Sequence, residues 1–355
     1  MKARKILLLI VSILSSGILY GQKTEYLGFP AQISFVYPIG TSGKGSINYC
    51  YNFSLNALSG STGSIKGCEI GGILNINKSN ISGFQVGGIG NITKGNVIGM
   101  QTGGIFSLSD SLIGFQVSGI LSKSSEVKGL QISGILNISK SANAMIGGIA
   151  NINRGNLRGV QIAGIYNQTK VLNGIQIGLI NLVDTVEKGI SIGLINIVRK
   201  GYYDEWTISV SDYQNLGLSY KSGRKSFYNI YSVGVNFFYD LLWVGGLGFG
   251  HISEINTKYS FQPEIILYTY FPKDFKHIRD TYITHLKFGF VRNVSNKLAI
   301  SLAPSIYWSL KSNKGIYDDY GYKHSPIKPI YEFDSRNSNS RIGVGFGLSL
   351  SLNIK

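Results

Sequence analysis

Residues 83–92 read GFQVGGIGNI, and the phrase returns as GLQISGILNI at 129–138 and as GVQIAGIYNQ at 159–168. Copies begin at Gly67, Gly83, Gly99, Gly114, Gly129, Asn143, Gly159, Gly174 and Gly189, spaced 14 to 16 residues apart, with a weaker copy from Asn52. A short fixed period decides the fold class before any single strand is assigned, because one unit is too small to bury an apolar face alone and must stack on its neighbours. The consensus is G-x-Q-[IV]-x-G-I-x-N-[IV], followed by a polar turn and one more apolar residue.

Four columns run through the array. One aliphatic column is Ile70, Val86, Thr102, Val117, Ile132, Ile146, Ile162, Ile177 and Ile192; a second is Ile73, Ile89, Ile105, Ile120, Ile135, Ile149, Ile165, Leu179 and Leu194, each preceded by glycine. The Gln column is Gln85, Gln101, Gln116, Gln131, Gln161 and Gln176, with Glu69, Met145 and Ser191 as departures. The Asn column is Asn75, Asn91, Asn137, Asn151, Asn167, Asn181 and Asn196, with Ser107 and Ser122 in the other two copies. Stacked coils place equivalent residues about 4.8 Å apart, so the aliphatic columns are expected to point inward while amides chain hydrogen bonds between coils. The Asn column reads as a structural ladder, and the Gln column is a candidate ligand-facing ladder, since its neighbours Phe84, Phe115 and Ile175 vary. Reading each repeat as a membrane hairpin fails on length, because two spanning strands of about 9 to 11 residues do not fit one repeat.

Repeats such as these resemble those of poorly characterised bacterial surface-repeat proteins exported by Gram-negative cells. The resemblance covers roughly residues 50 to 200. It implies an envelope or surface location and brings no catalytic residues.

Repetition stops at Arg199 and Lys200, and aromatic-rich strands follow. Ile342, Val344, Phe346, Leu348, Leu350 and Leu352 alternate with Gly343, Gly345, Gly347, Ser349, Ser351 and Asn353; Leu298 to Leu310 alternates likewise. Period-two patterning of this length predicts antiparallel strands with one apolar and one small polar face. Rougher candidates near 205–211, 214–221, 229–238, 242–251, 257–270 and 283–291 bring the total to about eight, which suits a small outer-membrane barrel. The long connections at 271–282 and 311–340 read as falling on links of opposite parity, against the alternation of short and long turns in such barrels. Either a further strand from Ala31 to Tyr37 joins the barrel, or the domain is a soluble barrel or sandwich. The fold class expected is therefore all-β, an N-terminal β-solenoid of about fifteen-residue rungs followed by an antiparallel β-barrel-like domain.

The chain begins with Lys2, Arg4 and Lys5, an apolar run from Ile6 to Leu14, then Ser15, Ser16 and Gly17. This reads as a secretory signal peptide over 1–21, against the alternative of an N-terminal anchor, which needs about 20 apolar residues. The remaining organisation expected is an N-terminal strand or cap at 22–50, the solenoid at 51–200 and the barrel-like domain at 201–355. Without the leader cations the formal charge falls from +16 to +13. That charge suits anionic lipid or acidic polysaccharide, and export makes nucleic acid the poorest partner. Cys50 and Cys68 permit a disulfide in an oxidising compartment, or remain two buried thiols.

Chemistry is sparse. The four histidines, His251, His277, His285 and His324, form no HExxH or Cys-His pattern, and no G-x-S-x-G elbow occurs. Asp318 and Asp319 read as a solvated loop rather than a Ca²⁺ site. Gly245 to Gly250 reads as a strand and not as a phosphate loop, since no helix follows. No catalytic, cofactor or metal residue is expected. The function expected is a non-enzymatic envelope or surface protein with a structural or attachment role, its rod displayed by a barrel anchor in an outer membrane. Its partners would be outer-membrane lipid, polysaccharide or another surface protein. Alternatives are a secreted or periplasmic polysaccharide-binding module and an outer-membrane channel. The C-terminal half is expected to cap the last rung, with Ile195 and Ile197 in the shared core.

Overall fold

In a computed structural model the chain is all-β, with one short 3₁₀ helix, Gly43–Asn48, among the described residues. Those residues are 26–211, 214–236, 242–272, 282–295, 297–310, 331–334 and 340–352. The expected leader, Asp318 and Asp319, and His277 and His324 lie outside them. The chain divides into two compact units, Met1–Gly148 and Ile149–Lys355.

In the first unit, parallel strands stack with most residues opposite their counterparts one repeat on, the register shifting near Tyr51–Phe53 and Val127–Leu130. Gly83 pairs with Gly99 and Gln85 with Gln101, while Asn75 pairs with Asn91. The columns read from the sequence are therefore real neighbours in space. Strand Leu27–Val36 joins the same stack, parallel to Tyr49–Thr62, and contributes nothing to the barrel. Gly99 shows why this column is glycine: its φ is +128°, and a Cβ there would lie 2.1 Å from the Gly83 carbonyl oxygen. Only a residue without a side chain lets rungs approach so closely in that conformation.

The pleat decides which way each column faces, and here the sequence expectation is corrected. Both aliphatic columns point outward; Ile89 is 40% exposed and Val86 45%. The buried aliphatic stack is instead the lone apolar residue after the polar turn, namely Ile65, Ile81, Val97, Leu112, Val127 and Ala142. Ile81 and Gln85 are four residues apart on one strand and so share a face, which places Val86 on the other. Amides can occupy the interior because each finds its partner in the rung above or below.

The second unit opens with further rungs in the same register, Gln161 opposite Gln176 and Asn167 opposite Asn181, with Asn181 in turn opposite Asn196. Parallel pairing ends at Lys200. Eight long strands then pair antiparallel: β1 (Tyr203–Ser211), β2 (Leu216–Arg224), β3 (Phe227–Asn236), β4 (Leu242–Gly250), β5 (Tyr259–Pro272), β6 (Tyr282–Asn293), β7 (Leu298–Leu310) and β8 (Ser340–Leu352), with short strands Ser253–Glu254 on β5 and Tyr331–Asp334 on β8. β8 returns to β1, with Trp206 opposite Leu352 and Ser211 opposite Gly347, so the sheet closes. Gly245 to Gly250 lies within β4, as its strand reading required.

The parity conflict disappears with this topology. The strand ends Ser211 and Leu216, Asn236 and Leu242, Pro272 and Tyr282, and Leu310 and Ser340 share one rim, so both long links begin and end on the same side. Connections 225–226, 251–258 and 294–297 leave the other rim, where the chain also enters at Tyr203 and β8 ends. The long links are the fifth and seventh of the barrel, of equal parity, and no further strand is needed.

Candidate functional site

The rung interior is a polar core built from single hydrogen bonds repeated. In the first unit Gln131 donates to Gln116, Gln116 to Gln101 and Gln101 to Gln85, each from Nε2 to Oε1 at 2.7 Å. Gln85 then donates to Glu69 Oε2 at 2.8 Å. Glu69 suits the end of this chain because a carboxylate only accepts. Its other donors are Asn77 at 2.8 Å, with Ser54 and Asn56 each at 3.2 Å. Burial pushes the Glu69 carboxyl above its ordinary range, and these four donors oppose that shift. The second unit repeats the motif, Gln176 to Gln161 at 2.8 Å, and Ser191 donates to Gln176 at 3.2 Å.

All six glutamines of the candidate ligand-facing ladder, Gln85, Gln101, Gln116, Gln131, Gln161 and Gln176, are fully buried. They do not face outward, so a role as exposed ligand contacts is set aside. The Asn column is also interior. Asn75, Asn91, Asn137, Asn151, Asn167 and Asn181 are fully buried and Asn196 is 4% exposed. Asn167 shows the arrangement: Nδ2 donates to Asn181 Oδ1 at 3.0 Å and to the Ile177 carbonyl at 2.6 Å. One amide thus ties a rung both to the next amide and to the facing strand. Ser107 and Ser122, the departures, donate to Val117 and Ile132 carbonyls instead. Cys50 and Cys68 are free thiols.

The barrel repeats this inversion of polarity. Inward positions of β1 to β7 carry Glu205, Thr207, Ser209, Ser219, Lys221, Ser232, Gln262, Glu264, His285, Ser301 and Ser305, all buried. Lys221 Nζ lies 2.7 Å from Glu264 Oε1 and 3.2 Å from Glu205 Oε1, and donates to Gln262 at 3.1 Å. Lys287 reaches the other Glu264 oxygen at 3.4 Å, and Tyr228 donates to Glu264 at 2.9 Å. Tyr203, Tyr228, Tyr268, Tyr270 and Tyr307 fill space on either side of this cluster. Sequence reasoning missed these charges; the available signal was a lone Lys or Glu at every second position among small residues.

The outward face is the reverse. It carries Ile208, Leu218, Val233, Trp243, Leu247, Ile265, Leu267, Phe290, Ile300, Leu302, Ile306, Trp308, Leu348 and Leu350, all exposed. Among the described residues, the charges on that face are Asp204, Arg224 and Arg292, each within two residues of a strand end at the rim where the chain enters. Trp206 packs on Tyr220 at 4.9 Å between ring centroids, and Tyr220 stacks on Tyr231, near the same rim.

The last rung meets this wall. Asn196 continues the Asn ladder by donating to Asn229 Oδ1 at 2.5 Å, and Asn229 donates back to the carbonyls of Gly193 at 2.6 Å and Leu194 at 3.0 Å. Tyr231 also donates to the Leu194 carbonyl, and Arg224 to the Val186 carbonyl at 2.5 Å. The barrel wall therefore covers the open end of the stack, as the capping idea required. Its core was misassigned: Ile195 and Ile197 are 41% and 44% exposed, whereas Asn196 and Val198 are buried. Strand alternation puts the even-numbered residues inside.

The fold thus defines a class of all-β protein that joins a β-solenoid with a polar interior to a closed eight-stranded antiparallel barrel. Among known proteins, no family model, no curated protein and no solved structure matches the chain.

Proposed function

We propose that the chain is a non-enzymatic envelope protein whose barrel is embedded in an outer membrane and holds the solenoid at that membrane. The observation that carries this reading is the polarity of the barrel: ion pairs and hydroxyls inside, and outside a mainly aliphatic and aromatic face whose charges among the described residues sit near one rim. In water such a face is an association hazard; in a bilayer it is the lipid-facing band of a transmembrane barrel, and closure satisfies every backbone group. The Lys221–Glu264 cluster and the inward tyrosines block the lumen, which favours an anchor over a channel.

The two rims support a sidedness. Outer-membrane barrels keep short turns on the periplasmic side and longer loops outside. By that rule the last rung, which leads into the barrel at Tyr203, lies on the periplasmic side, and the rim formed by the ends of β5, β6, β7 and β8 at Pro272, Tyr282, Leu310 and Ser340 faces outward. This reading gives the rungs a structural role at the periplasmic face of the membrane, in place of display on the cell surface.

Fractionation of the full chain expressed in a Gram-negative host tests the proposal. The expected result is sedimentation with outer membranes, resistance to an alkaline wash and release by detergent. Recovery in the soluble periplasmic fraction or the medium would favour the secreted, polysaccharide-binding alternative and defeat the anchor.

A further inference from the structure

We infer that the apolar edge of the solenoid is a lipid-binding surface that dips into one leaflet of an anionic bilayer. This rests on the reading of the barrel as membrane-embedded, and the test below separates the two.

Each rung has two opposite ends. At one end the polar turn carries mostly basic exposed residues, Lys78, Lys94 and Lys140 against Asp110 in the first unit, and Arg154 and Lys170 in the second. At the other end the chain doubles back through a glycine and an exposed aliphatic, as at Ile73, Ile89, Ile105, Ile120 and Ile135. Ile165, Leu179 and Leu194 form the same corner in the second unit. The strand that joins the Ile89 corner to the Lys94 turn, Gly90–Thr93, has four residues. At about 3.3 Å per residue it spans about 13 Å, close to half of a hydrocarbon core about 30 Å thick. A rung is therefore about one leaflet deep, apolar at its tip and cationic where phosphates would lie.

Most of the interior polar groups are paired within the stack, the Gln and Asn side chains donating along their ladders and the backbone pairing rung to rung. Apolar side chains occupy the corner and both flanks, with Phe84 and Val86 on one sheet and Ile92 on the other. A second copy of the chain would cover one flank and leave the rest in water. A leaflet covers corner and flanks together, and lysines beside such a face reach headgroups with their ends while their stems stay apolar. In the second unit the surface is continuous with the barrel wall, because the Leu194 carbonyl accepts from Tyr231, in line with Tyr220 and Trp206. Tyrosine and tryptophan at that level are the residues of a membrane interface.

The test uses the full chain with Cys50→Ala and Cys68→Ser, carrying one new cysteine at a time: Ile105→Cys, Ile165→Cys, Lys94→Cys or Leu247→Cys. Each is labelled with an environment-sensitive fluorophore and reconstituted in phosphatidylcholine–phosphatidylglycerol vesicles containing doxyl-labelled lipid. The inference expects the corner labels to be quenched severalfold more strongly than the Lys94→Cys label, and the Leu247→Cys label to be quenched as strongly as they are. Quenching at Leu247→Cys without quenching at the corners overturns the inference and leaves the barrel reading intact. Absence of quenching at Leu247→Cys overturns both. Corner labels shielded from doxyl lipid and from aqueous iodide alike would mean a second copy covers the edge, and would overturn the lipid assignment. Circular dichroism verifies each variant's β content, and Ile120→Cys replaces Ile105→Cys if that variant does not fold.

Discussion

Replacing Gln101 by leucine removes one link from the buried amide chain at nearly constant volume. Gln116 Nε2 loses its acceptor at 2.7 Å and retains only Ser109 Oγ at 3.5 Å. Gln85 Oε1 loses its donor at 2.7 Å and keeps only Thr93 Oγ1 at 3.4 Å. A buried polar group deprived of its partner costs about 1–3 kcal/mol, so two of them cost about 2–6 kcal/mol. Leucine recovers part of this through its own apolar burial, about 1–2 kcal/mol. The net destabilisation expected is about 1–4 kcal/mol, confined to neighbouring rungs because a solenoid couples mainly to nearest neighbours. Such a stack need not unfold in one step, so amide hydrogen exchange is the proper assay. Protection of Asn96–Gly103 and Phe106–Ser118 is expected to fall by about 5- to 700-fold, at about 1.4 kcal/mol per tenfold. A solvent-facing glutamine would change stability by no more than about 0.5 kcal/mol. A loss of protection of about twofold or less would refute the ladder as a source of stability.

Three further perturbations follow from the same packing. Gly99→Ala forces a Cβ against the Gly83 carbonyl oxygen at a φ of +128°, whereas a Cβ at Gly28 meets nothing within 4 Å. The first should cost about 2–6 kcal/mol and the second almost nothing, read as protease resistance of the two variants side by side. Glu69→Gln removes a buried charge whose carboxyl is held above its ordinary range by burial. A raised carboxyl makes the native rung most stable below the unfolded pKa, with stability lost as pH rises through the folded one. The substitution should therefore flatten the pH dependence of rung stability, as measured by rung amide exchange at both ends of the range. Asn229→Ala takes partners from Asn196 and from the Gly193 and Leu194 carbonyls. Exchange protection at Ile195–Lys200 should drop by about 2–4 kcal/mol while barrel strands keep theirs.

Period and register were legible in the sequence, because glycine, glutamine and asparagine recur at one spacing and each pairs with its own copy. The direction each column faces was not. Gln85 and Val86 are adjacent and must take opposite faces, but patterning alone leaves open which face is inside. The usual rule, apolar inward, presumes water outside and a core unable to satisfy amides; stacked rungs remove the second condition and an apolar exterior violates the first. Ile81 held the missing clue, since its separation of four from Gln85 puts the buried aliphatic and the glutamine together. In the barrel, alternation over Leu298 to Leu310 was plain, and the closure that gives its faces different surroundings is a long-range property. Asn229 stood in a strand reading FYNIYSV, and only the register of Asn196 against it gives that amide a purpose.

Collisional quenching along β7 tests the central claim most directly. Single fluorophore-labelled cysteines at Ile300, Ser301, Leu302, Ala303, Ser305, Ile306 and Trp308 are read in vesicles containing doxyl lipid. The account predicts a period of two, with strong quenching at 300, 302, 306 and 308 and weak quenching at 301, 303 and 305. Uniform quenching, or outward labels reached by aqueous iodide and not by lipid, would contradict it.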